Sequence, residues 1–335
     1  MSIEIKEVTE FRMKMITAEL NQVIKKKLGK LYNGQPYYEP SSLLGTGSAK
    51  TLKGLKKGFT TYIMYLSPSR LNSKGKNLCG GASKGCIESC LFTSGRGSFS
   101  MIELARVNKS EYFLHDRNKF LNQLVKEIKS IELKHSKMSS DTLNEDGTIK
   151  TAKNFAIRLN GTSDIPFNKL KLKDYNNKTI FELFPNIQFY DYTKVKSIAN
   201  DAKNIPNYHI TFSQSENNIL DALEMFENGT NFASVFFPSI PSTYMGLSVY
   251  DGDETDLTFT YPSNKVVGLY LKVPTKKRSV VNSFIKKSIA SGFVNLVVDD
   301  QIVNPTDENI EKATEDYFKI KYSKMREKRN KKQVL

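Results

Sequence analysis

The segment Gly58-Phe59-Thr60-Thr61-Tyr62-Ile63-Met64-Tyr65-Leu66-Ser67-Pro68 begins the region that decides the fold of this chain. It is rich in aromatic and β-branched residues and stops at a proline, which predicts a β-strand. Helical patterns and further short apolar segments alternate after it. Four of these segments span residues 154–160, 187–190, 208–212 and 232–237. This alternation predicts an α/β fold, a single domain of repeated βα units that we interpret as a complete or partial (β/α) barrel.

An extension flanks each end of the predicted α/β domain, which we place at residues 41–318. Residues 1–40 contain apolar residues near helical spacing from Phe11 to Leu28 and predict a helical N-terminal extension. Residues 319–335 are rich in lysine and arginine and predict a basic C-terminal tail.

The chain carries a strong excess of positive charge. Its 335 residues include 50 Lys and Arg against 35 Asp and Glu, a formal net charge of +15. Such a field attracts polyanions, so we expect nucleic acid or a nucleotide as a partner. The other interpretation is that the lysines are a solvated surface produced by an AT-rich genome, and charge alone does not separate the two.

The sequence gives no sign of a membrane segment or of export. It has no continuous apolar run of about 18 residues, the length that a transmembrane helix needs. Its N-terminus carries acidic residues where a signal peptide has an apolar core. Together with the low, odd number of cysteines, these features predict a cytoplasmic protein that does not associate with membranes.

All three cysteines, Cys79, Cys86 and Cys90, lie within twelve positions in a Gly/Ser-rich loop, residues 77–97, directly after the first predicted strand. Clustered thiolates are typical ligands of zinc or of iron–sulfur clusters. A closed structural zinc site has four ligands, whereas three thiolates on a [4Fe–4S] cluster leave one iron open. This arrangement resembles that of radical S-adenosylmethionine enzymes, whose cluster loop also follows the first barrel strand. Their usual spacing is three residues and then two, but here it is six and then three.

Other interpretations of the cysteines stay open. Zinc would need a fourth ligand from His115, His135 or His209, which would give a non-catalytic, zinc-stabilised protein that binds nucleic acid. In a third interpretation, the three thiols do not share a ligand, and the protein is a factor that acts without metal.

Polar residues cluster where three predicted strands end. In parallel βα folds the carboxyl ends of the strands meet at the ligand-binding edge. We therefore predict that these residues bind S-adenosylmethionine, with residues 160–164 around its amino-acid end, or line the substrate. An N-cap role for Ser163 or Asp164 is the simpler alternative, but it does not explain the charged Arg158 within an apolar strand. The predicted set is Asn160, Thr162, Ser163, Asp164, Tyr190, Asp191, Tyr192, Ser213, Gln214 and Glu216.

Two further loops partly resemble a phosphate-binding loop and an acidic metal site, but we favour a structural interpretation of each. Residues 44–51 contain two glycines before a lysine, but the spacing is wrong for a phosphate-binding loop, and a polar turn is expected. Residues 251–256 contain four acidic side chains. A carboxylate pair for metal-assisted phosphoryl chemistry is conceivable there, but we expect a hairpin turn.

Several of these motifs together are similar to those of the phage "gene product eighty-eight" family, over roughly residues 42–275. This resemblance implies an origin in a bacteriophage, prophage or mobile element, and hence the cytoplasm of a bacterial host. It implies no settled activity, so the leading hypothesis, a radical S-adenosylmethionine-like iron–sulfur enzyme, comes from the residues. The motifs that carry the resemblance are residues 44–47, 75–79, 82–86, 90–97, 158–165 and 189–194.

Overall fold

The computed structural model describes residues 2–47, 49–90, 100–274 and 277–333. These residues form a mixed α/β fold in which most paired strands are parallel, so the predicted α/β class is confirmed. The helices are α1 (Ser2–Leu28), α2 (Ala49–Leu55), α3 (Lys84–Glu88), α4 (Ser100–His115), α5 (Arg117–Ser136), α6 (Ile180–Leu183), α7 (Lys196–Ala202), α8 (Ile219–Glu227), α9 (Arg278–Ala290) and α10 (Asp307–Gln333).

The strands are short, and most are buried apolar segments. They are β1 (Leu44–Gly45), β2 (Phe59–Met64), β3 (Thr142–Leu143), β4 (Ile149–Thr151), β5 (Asn154–Arg158), β6 (Gln188–Thr193), β7 (Tyr208–Ser213), β8 (Phe232–Phe237), β9 (Thr243–Tyr244), β10 (Leu247–Asp251), β11 (Val266–Tyr270), β12 (Val294–Val298) and β13 (Gln301–Ile302).

The chain divides into two compact units. The first comprises Met1–Ala82, Arg96–Thr211 and Glu254–Thr260, and the second comprises Ser83–Gly95, Phe212–Asp253 and Tyr261–Leu335. The predicted cysteine loop at 77–97 therefore contributes to both units. It is described up to Cys90, and residues 91–97 lie outside the described residues.

In the first unit, β3 and β4 form a separate two-stranded sheet, and the other strands are neighbours in the main sheet in the order in which they follow along the chain. Their order is β1-β2-β5-β6-β7. β2 is parallel to β5, with Phe59 opposite Asn154, and β5 is parallel to β6, with Ala156 opposite Gln188. Helices separate these strands along the chain, as the alternating pattern predicts. Sequential neighbours of this kind are typical of (β/α) barrels, but barrel closure stays a prediction.

In the second unit, β8 is the central strand. It pairs in parallel with the end of β7, with β11 and with β12. β10 is parallel to β11, while β9 and β13 are short antiparallel partners of β10 and β12. Helices α9 and α10 contact β12. Their buried apolar residues form a core with those of β8, β12 and Leu271, whose members are Phe237, Leu271, Val281, Ile285, Ile289, Val294, Leu296, Ile310, Ala313 and Phe318.

Helices form at the predicted positions near both ends of the chain, but the predicted turn at residues 44–51 does not. α1 covers the predicted helix from Phe11 to Leu28, and residues 319–333 of the predicted basic tail continue α10. The polar turn predicted at residues 44–51 is wrong, because Leu44–Gly45 pairs with β2 as an edge strand and α2 begins at Ala49. Glu127 of α5 stabilises this edge by accepting the N–H groups of Leu43 and Leu44 at 2.8 and 3.0 Å. Among the described residues, no helix is both long and apolar enough to cross a membrane.

Two adjacent valines of α9 test the core of the second unit. Val281 is 1% exposed and Val280 is 49% exposed. We expect Val281→Ala to lower the free energy of unfolding by about 2 kcal/mol, because two buried methyl groups are lost and a void remains. Val280→Ala is the matched control and should change the free energy by less than about 0.5 kcal/mol in urea denaturation. Equal losses in the two variants would contradict this account of the core.

Candidate functional site

A buried ion pair occupies the interior of the first unit. Nη1 of Arg158, at the end of β5, lies 3.0 and 2.9 Å from the two carboxylate oxygens of Asp256. Both residues are buried. The hydroxyl of Tyr190 donates to Asp256 at 3.3 Å, and the Arg158 guanidinium lies 4.8 Å from the centre of the Tyr192 ring. The charged residue within an apolar strand thus has a buried counterion and an aromatic surface against it.

Asp256 reaches this interior on the segment Glu254–Thr260, which lies between β10 and β11 in sequence but belongs to the first unit. Phe259 of the same segment packs edge-on against Phe59 and Tyr190, with ring centres 5.3 and 5.5 Å apart. The hairpin turn predicted at residues 251–256 is wrong, because β10 and β11 are parallel and need a crossover connection. Asp253 also has protein partners, Lys272 at 2.6 Å and the Tyr270 N–H at 2.8 Å.

Asp191 of β6 contacts the loop after β5 and the start of β7. Its carboxylate accepts the main-chain N–H of Asn160 at 2.8 Å and the hydroxyl of Tyr208 at 3.2 Å. Nε of Arg158 lies 3.8 Å away. Asp191 is 1% exposed, and burial raises its pKa to about 7, although Arg158 and the Asn160 N–H favour the charged form.

The loop after β5 is held by its own polar side chains. The side-chain oxygen of Asn160 accepts the Ser163 hydroxyl and the Ile165 N–H, both at 2.9 Å, and its amide donates to the Ile165 carbonyl at 3.0 Å. Neither Ser163 nor Asp164 caps a helix, since the next helical turn, Phe167–Lys169, has Pro166 at its N-cap position. The capping alternative is therefore wrong, and the buried Asn160 holds the loop together.

Gly161 brings this loop against β2. Its N–H donates to the Met64 carbonyl at 2.9 Å. A Cβ at this position would lie 2.6–2.8 Å from atoms of Tyr65, Met64 and Ile63, so no larger residue fits without movement of the strand. The Thr162 hydroxyl next to it donates to the Leu66 carbonyl.

Asp164 connects the cysteine segment to the ends of β5 and β6. Its N–H donates to the Leu78 carbonyl at 2.8 Å, and Asp164 and Cys79 form an isolated parallel β-bridge. Its carboxylate accepts the Thr193 hydroxyl at 2.7 Å and the Lys194 N–H at 3.0 Å. Burial raises the pKa of Asp164, while its bonds to Lys194 and Thr193 act in the opposite direction.

Cys79 lies beside these contacts of Asp164. Its sulfur accepts the Ser69 N–H at 3.2 Å and lies 3.5 Å from the Thr162 carbonyl. Gly81 allows the segment to approach the end of β6, because a Cβ there would lie 2.6–2.8 Å from atoms of Lys194. The first unit therefore brings together Cys79 and the predicted site residues Asn160, Thr162, Ser163, Asp164, Tyr190, Asp191 and Tyr192.

The second unit contains the other two cysteines and the remaining predicted residues. Cys86 lies in α3 and Cys90 follows it, and both are partly exposed. Glu216 accepts the hydroxyl of Ser83 at 2.6 Å and the N–H of Gly85 at 2.7 Å. Glu216, after β7, thus holds the start of the cysteine helix.

Ser213 and Gln214 end β7 in the second unit. The Ser213 carbonyl accepts the Asn218 amide at 3.1 Å. The Gln214 amide donates to the Tyr244 hydroxyl at 2.9 Å, and that hydroxyl donates to Asn295 at 3.1 Å. The Gln214 side-chain oxygen is buried and has no hydrogen-bond partner within the part of the chain that the structure describes.

The candidate metal ligands do not form a ready site in the described part of the chain. All three cysteines are partly exposed. Across residues 2–47, 49–90, 100–274 and 277–333, no three His, Cys, Asp or Glu side chains are grouped so that they could hold a metal ion.

The three histidines considered as zinc ligands lie in different surroundings. Both ring nitrogens of the buried His135 are 2.9 Å from protein oxygens, those of Tyr62 and Lys153. His115 lies 3.4 Å from Glu111, and burial lowers the pKa of His209.

A comparison with protein families identifies the chain. The Gene product 88 family model matches residues 42–292. The chain belongs to the Gene product 88 family. The matched region contains the three cysteines, the Arg158–Asp256 pair, Asp191 and Glu216. Comparisons with curated proteins and with solved structures give no significant match.

Several residues that build the site carry no clear signal in the sequence. Asp256 lies 98 positions from Arg158, in a loop whose acidic residues look like a surface turn. Tyr208 appears only as one aromatic residue of an apolar strand. Only the charge of Arg158 within an apolar strand points to such a residue. A buried guanidinium requires a carboxylate partner, but the sequence does not show which carboxylate it is.

Substitution of Asp256 tests the buried pair. We expect Asp256→Asn to lower the free energy of unfolding by about 3 kcal/mol, because it removes the closest counterion of the buried Arg158. Glu254→Gln is the control on the same segment. It removes an ion pair with Lys57 that is about half exposed on both sides, so a loss below about 1 kcal/mol is expected. Urea denaturation of both variants measures the difference, and a loss for Asp256→Asn no larger than for Glu254→Gln would show that the buried pair stabilises nothing.

The raised pKa of Asp191 predicts a pH-dependent stability. The folded protein binds a proton that the unfolded chain has already released, since the pKa of Asp191 is about 7 in the fold and about 4 in an unfolded chain. The stability contributed by this group is present at low pH and is lost as the pH rises towards 7. Asp191→Asn lacks this loss, so its melting temperature relative to wild type should rise between pH 5 and pH 8. Asp307→Asn, at an exposed carboxylate of α10, is the comparison for substitution at the surface. Melting curves of Asp191→Asn and wild type that shift in parallel with pH would contradict the prediction.

Proposed function

We propose that this protein is an iron–sulfur enzyme of the radical S-adenosylmethionine type, with Cys79, Cys86 and Cys90 as ligands of a [4Fe–4S] cluster. One observation carries the proposal: the Cys79 segment pairs with Asp164, in the loop after β5, and Asp164 also binds the end of β6. Cys79 thus lies where the carboxyl ends of consecutive βα strands meet. Cofactors of α/β proteins bind at that end of the strands.

The donor set suits iron–sulfur chemistry. The three cysteines are partly exposed, and thiolates are the usual ligands of such clusters. The described residues have no preformed group of three ligands. The proposal therefore requires the three sulfurs to come together when iron is loaded, and iron analysis tests this requirement directly.

The burial of the polar residues suggests different roles for them. Thr162, Asp164 and Tyr192 are partly exposed, so they are the residues of the first unit that would contact S-adenosylmethionine. The other predicted residues of the first unit are buried and hydrogen-bonded within the fold, namely Asn160, Ser163, Tyr190 and Asp191. They would hold Thr162, Asp164 and Tyr192 in place. In the second unit, Ser213 and Gln214 would contact the cofactor or substrate.

When bound, the cluster would supply the electron that cleaves S-adenosylmethionine, and the open iron would hold its amine and carboxylate. The protein's own contribution is to orient the amino-acid end of the cofactor. The partly buried Asp164 is suited to this, because its carboxylate is already fixed by Thr193 and Lys194. A group held in this way loses little entropy when it binds a ligand.

The net charge of +15 supports nucleic acid or a nucleotide as the substrate class. The family supports a phage origin, and with it action in the cytoplasm of a bacterial host. These assignments belong to the proposal.

Anaerobic purification tests the proposal. The protein should contain about four irons and four sulfides per chain, and its EPR signal after reduction should change when S-adenosylmethionine is added. Each of Cys79→Ser, Cys86→Ser and Cys90→Ser should lose most of the iron, because each removes one ligand. Lys84→Ser, at an exposed residue of α3, is the control in the same segment and should keep it.

Stoichiometric zinc in place of iron would contradict the enzyme and favour the zinc-stabilised nucleic-acid-binding protein. Absence of both metals after anaerobic reconstitution with iron and sulfide would contradict both metal-dependent functions. Iron that survives all three cysteine substitutions would rule out these residues as the ligands.

A further inference from the structure

The charges of α10 are segregated along its length. Residues 307–316 contain five acidic side chains and one lysine, whereas residues 317–333 contain eight lysines and arginines and one glutamate. The helix dipole favours acidic residues in the first turn and basic residues in the last turn. The basic part of α10 extends well beyond its last turn, and an excess of this kind attracts polyanions.

A row of aromatic rings leads from the core of the second unit to an exposed position on α10. The Tyr317 ring lies 5.4 Å from that of Phe237 and 5.2 Å from that of Phe318. The Phe318 ring in turn stacks on Tyr322, with centres 6.0 Å apart and 24° between the ring planes. Phe318 is 6% exposed and Tyr322 is 50% exposed. The exposed tyrosine ring therefore rests on a buried one.

Two cations of the second unit lie against this row of rings. Cζ of Arg278, the first residue of α9, is 4.6 Å from the centre of the Phe318 ring. Nζ of Lys321 is 5.5 Å from the centre of the Tyr317 ring and 5.9 Å from that of Phe318. Arg278 is exposed and Lys321 is partly exposed. In the part of the chain that the structure describes, neither cation has an ion pair with a carboxylate.

Other lysines of the same two helices have carboxylate partners. Lys286 of α9 lies 2.9 Å from Asp307, and Lys312 of α10 lies 2.8 Å from Asp299. The cations on the aromatic row thus differ from these lysines, because an anion from outside the protein can bind them without displacing a carboxylate. A guanidinium stacked on a ring keeps its N–H donors at its edge, where they suit a phosphate.

We infer that Arg278, Lys321 and Tyr322, here called the Tyr322 surface, bind single-stranded nucleic acid. The two cations contact phosphates, and the Tyr322 ring stacks on a base. Proteins that bind single strands combine positive charge with aromatic rings in this way. The bases of a duplex are already stacked on one another, so an exposed ring favours a single strand. The inference rests on the proposed function for nucleic acid as the substrate class, but binding at this surface needs no cluster.

Fluorescence anisotropy of the metal-free full chain with a labelled oligothymidylate tests the two cations. Arg278→Ala and Lys321→Ala should each weaken binding about fivefold near 0.1 M salt and lower the slope of log K against log salt by about 0.7, because each removes one phosphate contact. Lys286→Ala and Lys312→Ala remove the same charge at paired lysines. These controls should change the affinity by less than about twofold.

Substitutions of Tyr322 test the stacking. Tyr322→Ala should weaken binding about tenfold, whereas Tyr322→Phe keeps the ring and should bind as wild type does. Tyr322→Leu keeps an apolar contact with Phe318 and should bind as weakly as Tyr322→Ala, which separates loss of stacking from a weakened fold. Tyr270→Ala, at a tyrosine of β11 that is 39% exposed, is the control for loss of an exposed ring.

A duplex of the same length and polyglutamate identify the partner. Both should bind more weakly than the oligothymidylate, and binding of the duplex should not respond to Tyr322→Ala. Equally tight binding of either probe overturns the assignment to a single strand. Wild-type affinity for the oligothymidylate in Arg278→Ala, Lys321→Ala and Tyr322→Ala overturns the Tyr322 surface.

These outcomes are separate from those of the proposed function. Iron-loaded protein that responds to S-adenosylmethionine while the variants bind normally overturns the Tyr322 surface alone. Protein that takes up no iron but shows the expected losses of binding supports the Tyr322 surface and overturns the iron–sulfur enzyme.

Discussion

The interior of the first unit depends on the buried ion pair between Arg158 and Asp256. A guanidinium taken out of water carries a desolvation cost of several kcal/mol, which only close and well-directed partners can offset. Asp256 provides two contacts near 3 Å, and the Tyr192 ring lies against the guanidinium. The segment Glu254–Thr260, which contains Asp256, belongs to the first unit, although the residues on either side of it in sequence belong to the second. The ion pair therefore ties this part of the connection between β10 and β11 to the first unit.

A second buried carboxylate, that of Asp191, connects this ion pair to the loop after β5. Asp191 lies 3.8 Å from Arg158 and accepts the main-chain N–H of Asn160. Asn160 in turn holds the loop that contains Asp164, and Asp164 binds the Cys79 segment. A continuous series of polar contacts thus links the buried arginine of β5 to the first cysteine. These bonds hold the loop after β5 and the Cys79 segment against each other.

Much of the architecture could be predicted from local sequence patterns. The apolar segments at residues 59–66 and 154–160 predict strands because β-branched and aromatic residues suit buried parallel sheets. The helix from Phe11 to Leu28 follows from its spacing. The family resemblance, carried by motifs around the cysteines and residues 158–165, is confirmed by the family match. Local patterns do not identify which distant residues pair, so the partner of Arg158 and the parallel arrangement of β10 and β11 were beyond them.

The predicted site residues also divide in a way that the sequence does not indicate. Glu216 and Asp164 are both acidic residues after a strand. Yet Asp164 binds Thr193 and the Lys194 N–H, whereas Glu216 binds the start of the cysteine helix. The difference depends on chain segments that come together only in the fold. Residue type and position after a strand predict that a side chain belongs near the site, but not which segment of the chain it binds.

The central claim is that three cysteine thiolates bind a cluster with one open iron. Mössbauer spectroscopy of protein loaded anaerobically with isotopically enriched iron tests it most directly, because it resolves individual iron sites. The account predicts a [4Fe–4S] spectrum in which addition of S-adenosylmethionine changes a single iron site and leaves the others as they were. A spectrum without a cluster, or one in which no site responds to S-adenosylmethionine, would contradict it.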